Sequence, residues 1–171
     1  KPTAVTVKFG MNVHAYQAFR EDICRAYARS QTEIVKVLKA EGARVALLTP
    51  QPIEDKTPAE HDQNVKNQSL RKFSDALRDV AAANGAVYVD QFDPYMKIML
   101  GARAAKPDAM IGGGDAVHPG PAGHTLMAWT ILKQLNAPAL VSACGIDVSR
   151  WFFMSKVVCQ KNCDVSNVKV K

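Results

Sequence analysis

The sequence predicts an α/β fold in three layers, α/β/α, around a mostly parallel sheet. Two observations carry this. Three short apolar runs, Val5–Phe9, Arg44–Thr49 and Ala86–Asp90, are separated by long segments whose apolar residues recur at helical spacing. Parallel strands need a crossover of a dozen or more residues between them, and helices fill that gap.

Each element has its own signal. Val5, Val7 and Phe9 alternate with Ala4, Thr6 and Lys8, which marks a half-buried strand ending at Gly10. Phe19, Ile23, Tyr27, Ile34 and Leu38 give a helix from about Ala15 to Ala40, stopped before Gly42. Arg44-Val-Ala-Leu-Leu-Thr49 is a continuous apolar run closed by Pro50 and Pro52, as a buried central strand would be. Ile53 to Gln63 is polar and reads as a loop, with Glu54, Asp55, Glu60 and Asp62 as solvated charges and His61 in solvent. Leu70, Phe73, Leu77 and Val80 mark a second helix ending near Gly85, followed by the strand at Ala86–Asp90. A shorter helix runs through Tyr95, Ile98 and Met99, and the last clear one carries Leu126, Trp129, Leu132 and Leu135. Met96, Met99 and Met110 read as gap-fillers in the core.

Composition narrows the function. The 171 residues are 47% hydrophobic, enough for one domain with a sizeable core, and carry a net charge of +6. Lys and Arg are interspersed with acids rather than massed with aromatics, which argues against a nucleic-acid surface. No apolar run approaches the roughly 20 residues that a membrane helix needs. No signal-peptide pattern opens the chain at Lys1. Of the four cysteines, Cys24 falls on a helix face as a small hydrophobe, while Cys159 and Cys163 are spaced for a disulfide or remain free thiols. Residues 1–140 form the predicted domain, and 141–171 a tail or the start of a further β-rich segment, with β-like pieces at 157–159 and 168–170.

The chemistry concentrates in Asp115-Ala-Val-His118-Pro-Gly-Pro-Ala-Gly-His124, a Gly- and Pro-stiffened loop entering the last helix. An acid three residues before a His on such a loop can hold one imidazole nitrogen while the other acts as a base. Far upstream, Gly10-Met-Asn12 ends the first strand, where Asn12 can offer its amide to a developing oxyanion. Ligands of open parallel sheets bind beyond the strands' carboxyl ends, and both blocks fall there. His14, Tyr16 and Gln17 can line the pocket rim but read first as residues of the helix start, and His124 as a ring bonded to a loop carbonyl.

Together these two blocks resemble those of the SGNH (GDSL) hydrolases, a family of esterases and lipases. The resemblance implies a flavodoxin-like sheet of order 2-1-3-4-5, with His118 as general base, Asp115 as its partner and Asn12 in the oxyanion hole. Val13 departs from the family pattern, which has an Asp there. The family's Gly-Asp-Ser nucleophile block and its second, glycine-bearing block are expected upstream of Lys1, because no serine in this chain sits on a Gly-rich strand-to-helix turn. Two N-terminal strands of the fold would then also be missing, leaving an exposed apolar patch beside Val5–Phe9. The implied activity is Ser-His-Asp hydrolysis of a carbohydrate O-acetyl or short-chain carboxyl ester, needing no cofactor and no metal, in a secreted or periplasmic protein. Two rival readings are a catalytically inactive binding module of the same fold and metal-assisted hydrolysis at Asp115, His118 and His124.

Overall fold

The three apolar runs pair as parallel strands. β1 (Ala4–Lys8), β2 (Arg44–Leu48) and β3 (Val87–Val89) lie in that order, with Val5 opposite Val45, Val7 opposite Leu47 and Leu47 opposite Tyr88. This computed structural model describes residues 1–55 and 64–138, together with the short strand residues 144–145 and 158–159. After the exposed Arg44, β2 is apolar because both of its faces are covered: Val45, Ala46, Leu47 and Leu48 are all buried. β1 alternates because it is an edge: Val7 is buried while Ala4 and Thr6 are exposed.

One face of the sheet carries α1 (Glu21–Ala40) and α2 (Val65–Asn84), which pack on Val7, Val45 and Leu47. Phe73 is the centre of this layer, with the rings of Tyr27, Phe19 and His14 around it. Cys24 is buried in the same cluster, as a small hydrophobe should be. Asn64 caps α2 by accepting from the backbone N–H groups of Lys66 and Asn67, and Gly85 ends it at φ 59°. α1 begins later than the apolar spacing predicts. Ala15 and Tyr16 adopt left-handed φ values of 56° and 54°, which break a helix, and Arg20 is extended. Glu21 and Asp22 supply the acidic first turn that suits the true start.

On the other face, Ala46, Leu48 and Val89 meet Ile131 of α4 (Pro121–Gln134). α3 (Phe92–Ala105) lies against α4 and contributes Phe92, Tyr95, Met96 and Met99 to a cluster with Ile53 and Leu70. Met96 and Met99 thus fill core gaps as expected, whereas Met110 is half-buried. Thr49, at the end of β2, accepts from the N–H groups of Gln91 and Phe92 and so ties β2 to the start of α3.

The free edge of β1 bears the expected apolar patch. Phe9 is 55% and Val13 39% exposed, beside a groove of about 330 Å³ that Ile23 and Ile34 help to line. Residues 136–171 form a separate compact unit from 1–135. In it β4 (Cys144–Gly145) pairs antiparallel with β5 (Val158–Cys159), placing Cys144 opposite Cys159. β5 falls within the piece expected at 157–159. The piece expected at 168–170 and Cys163, for which a disulfide or a free thiol was open, lie outside the described residues, as do His61, Glu60 and Asp62. Among the described residues no helix is long and apolar enough to cross a membrane.

Candidate active site

The loop from Gly112 to Gly120 folds back on itself. The Gly113 N–H donates to the His118 carbonyl at 2.5 Å, and Ala116 takes a left-handed φ of 65° at the bend. That bend turns the Asp115 carboxylate inward. Its Oδ1 accepts from the backbone N–H groups of Val117 (3.1 Å) and His118 (2.9 Å), and its Oδ2 lies 2.5 Å from His118 Nδ1. These donors, with the backbone N–H of His118 first, hold the Asp115 carboxyl at about 2, well below the usual carboxylate range. Asp115 is therefore ionised across the neutral range and presents its Oδ2 as an acceptor to His118 Nδ1. Both side chains are open to solvent, His118 at 81% and Asp115 at 58% exposure.

The frame under this loop is buried, and sequence reasoning missed it. Glu54, expected as a solvated loop charge, is 1% exposed. Its carboxylate accepts from the backbone N–H groups of Ile111 and Gly112, and its own N–H donates to the Ala116 carbonyl at 2.8 Å. Arg103, also buried, stands 3.9 Å from Glu54 and donates to the Ala109 carbonyl. Ile53 is buried in the apolar cluster with Leu70 and Phe92, and Asn67 of α2 satisfies its backbone twice, accepting from its N–H (2.7 Å) and donating to its carbonyl (2.9 Å). Asp55 is half-buried and accepts from Asn64. A polar stretch concealed this role, because the Glu54 carboxylate accepts from inward-facing backbone amides rather than facing water.

The two sequence blocks share one rim. Met11, beside Asn12, and Ala116, beside Asp115, pack against the same apolar cluster. Lys8, the last residue of β1, donates to Gln51 (2.8 Å), and Gln51 in turn donates to the Val117 carbonyl (3.0 Å). Burial pushes the Lys8 ammonium down to about 8. Gly10 takes φ 129° and lies on Pro50, where an added Cβ would come within 3.1 Å of the proline ring. So the loops after β1 and β2 are pressed together at the carboxyl end of the sheet.

Asn12 is exposed and its Oδ1 accepts from the Tyr16 hydroxyl. That bond uses the Asn12 carbonyl oxygen and not its amide N–H groups. Tyr16 is not a helix-start residue, as the sequence had predicted; its left-handed backbone folds it back over Asn12. His14 also departs from expectation. It is 2% exposed, its Nδ1 lies 2.5 Å from the Met11 carbonyl, and its Nε2 has no partner among the described residues. Burial holds its pKa below the ordinary histidine value, against the opposing bonds to Met11 and Gly10. Gln17 is exposed. His124 is exposed at the start of α4, joined to Gly120 through its backbone N–H, with no ring hydrogen bond of the expected kind.

A model of the GDSL-like lipase/acylhydrolase family matches residues 1–126. The chain belongs to this family. Among solved structures it is similar to a gut microbial diltiazem-metabolizing enzyme, at 25% identity and a TM-score of 0.63, over 85% of this chain and 36% of that one. It is also similar to Axe2, an acetylxylan esterase from Geobacillus stearothermophilus, at 19% identity and a TM-score of 0.64, over 81% of this chain and 61% of that one. A variant of Axe2, described as an acetyl-xylooligosaccharide esterase, aligns with a TM-score of 0.66 at 18% identity, over 84% of this chain and 64% of that one. The chain thus spans less than two thirds of the length of these structures. No curated protein matches it.

For a GDSL-like acylhydrolase, the described serines are badly placed to attack an ester. Ser30 lies within α1, and Ser69 and Ser74 are buried within α2, where Ser74 donates to the Leu70 carbonyl and the Ser69 hydroxyl has no partner among the described residues. None sits on a strand-to-helix turn. Asp115, His118 and His124 do not gather into a metal-holding group, nor does any other trio of such residues among those described. A groove of about 540 Å³ between α3 and α4 is lined by Trp129, Ile98 and Asp93, and neither Asp115 nor His118 lines it. It is a crevice between helices, whereas the pair stands in the open on the rim.

Proposed function

We propose that Asp115, His118 and Asn12 are the acid–base and oxyanion-binding parts of a serine ester hydrolase, completed by a nucleophile-bearing segment that precedes Lys1. The observation that carries this reading is the 2.5 Å contact between His118 Nδ1 and Asp115 Oδ2 on the rim that also bears Asn12. In the reaction, His118 Nε2 takes the proton of the attacking serine hydroxyl as the oxygen bonds to the ester carbonyl carbon. Asp115 stabilises the imidazolium that forms. The Asn12 amide donates to the carbonyl oxygen as it gains charge, and His118 then returns the proton to the departing alcohol. Water, deprotonated by the same nitrogen, releases the acyl group.

Two further facts support the assignment. Three Axe2 structures are described as catalytic mutants, in which an early serine, an aspartate and a histidine three positions after that aspartate are replaced by alanine. Asp115 and His118 have that spacing. The exposed edge of β1, with Phe9 and Val13 bare beside it, is where a preceding strand and helix would pack. The substrate class we favour is a small O-acetylated carbohydrate or another short-chain carboxyl ester, in keeping with the acetyl-ester substrates in the names of the similar structures.

The test is acetate release from an O-acetylated xylo-oligosaccharide and from an activated acetyl ester. It compares the protein carrying the family's Gly-Asp-Ser segment ahead of Lys1 with its His118→Ala form. The expected loss in kcat is about 100-fold or more, the usual share of a general base. Equal rates would show that His118 does no proton transfer and would favour a binding module built on the same fold.

A further inference from the structure

The structure assigns Glu54 as the positioning residue of the Asp115–His118 pair: its buried carboxylate fixes the floor on which the loop of that pair is folded. This rests on the reading of the pair as the acid–base couple, but its geometry can be tested without that reading. Asp115 and His118 are in solvent and hold each other by short local bonds, which alone would not keep an exposed loop in one shape. What lies beneath them is a half-buried strip of backbone resting on the buried Glu54 and Arg103. The floor is Ile111–Gly113. Gly113 donates to the His118 carbonyl, the Ile111 carbonyl accepts from the N–H of Gly123 in α4, and an added Cβ on Gly120 would come within 2.7 Å of the Gly112 carbonyl oxygen. Glu54 grips this floor from the inside through two backbone N–H groups and reaches the bend itself through its N–H to Ala116.

Three features make the grip specific to a carboxylate. Both amides present hydrogens to one side chain, so two acceptor oxygens are needed, and a glutamine would set its NH₂ against one of them. Gly112 is built to admit it, since a Cβ there would stand 2.7 Å from Glu54 Oε2. The charge is answered by Arg103 at 3.9 Å, and it helps to raise the Tyr95 hydroxyl to about 12, after burial. The bend at Ala116 supplies the reason a clamp is needed. A residue with a Cβ held at φ 65° relaxes to an ordinary conformation unless its surroundings over-determine it, and relaxation would swing the Asp115 carboxylate off the Val117 and His118 amides.

Glu54→Gln and Gly112→Ala, which disturb the contact from opposite sides, test this directly in the chain of 171 residues. Carbon NMR follows the titration of the Asp115 carboxyl, while thermal unfolding confirms that each variant is folded. The wild type should titrate near 2. Each folded variant should shift that midpoint upward by about one unit or more as the amide donors are lost, and Glu54→Asp should restore part of the difference. A folded Glu54→Gln protein whose Asp115 still titrates near 2 would overturn the assignment. If neither variant folds, amide exchange in the wild type decides. Protection of the Ile111 and Gly112 N–H groups comparable to that of α2 supports the clamp, and exchange at the rate of an open loop refutes it. Esterase assay of the same variants in the nucleophile-bearing protein separates the two ideas. A moved Asp115 titration with unchanged kcat leaves the clamp standing and removes the catalytic role of the pair.

Discussion

Replacing Asn67 with leucine should destabilise the domain out of proportion to the size of the change. The two side chains share one branched outline and leucine is the bulkier, so no cavity is created and any crowding adds to the loss. What is lost is the double grip on Ile53, whose N–H donates to Asn67 Oδ1 at 2.7 Å and whose carbonyl accepts from Nδ2 at 2.9 Å. Ile53 is 1% and Asn67 2% exposed, so water does not replace either bond. Leaving a buried polar group without a partner costs about 1–3 kcal/mol, so the two orphaned groups together cost about 2–6 kcal/mol. For a chain of this size roughly 2–4 °C of Tm accompanies each kcal/mol, so a mid-range loss of about 4 kcal/mol lowers the Tm by roughly 8–16 °C. The assay is urea and thermal unfolding followed by circular dichroism. Because Glu54 is the next residue, the exchange of the Ile111 and Gly112 amides should quicken as well. A loss below about 1 kcal/mol would mean that the Ile53 backbone finds other partners, and the argument from orphaned groups would be wrong.

Other consequences can be checked as readily. Tyr16→Phe removes the hydroxyl that holds Asn12 Oδ1 and should lower kcat about 3- to 10-fold with KM unchanged in the nucleophile-bearing enzyme, about one hydrogen bond's worth of orientation; an unchanged kcat would remove Tyr16 from the account. Lys8, held at about 8 when folded against 10.5 when unfolded, releases its proton first in the folded state. Between those values the unfolded chain binds more protons, so stability should rise with pH through that window relative to Lys8→Met; urea midpoints of the two proteins that run parallel from pH 7 to 11 would contradict this. Phe9, 55% exposed on the free edge of β1, should drive self-association of the 171-residue chain. Light scattering should show that association relieved in Phe9→Glu, and a monodisperse wild-type monomer would refute it.

The parts of the molecule that were legible in the sequence were those in which one residue pattern serves one purpose. The continuous apolar run of β2 announced a strand covered on both faces, and Gly85 announced the end of α2. Asp115 and His118 were legible because both belong to one short loop whose spacing brings them together. The start of α1 was misread because Phe19 keeps helical spacing with Ile23 while still outside the helix: it packs on Phe73 from the loop. Glu54 was misread for a deeper reason. A buried carboxylate satisfied by backbone amides 57 and 58 positions away leaves no local trace, since its partners contribute no side chain to the pattern. The same holds for Tyr16, whose role depends on a left-handed turn that composition does not reveal.

The central claim is that His118 is the base for a serine supplied from outside these residues, and covalent capture of that serine tests it most directly. The protein bearing the Gly-Asp-Ser segment ahead of Lys1 is treated with a fluorophosphonate, and the rate of single-site labelling is followed by intact-mass spectrometry against pH. The account predicts stoichiometric labelling of that serine and a rate about 100-fold or more lower in His118→Ala. Labelling at an undiminished rate in His118→Ala, or no labelling of that serine in the folded protein, would contradict it.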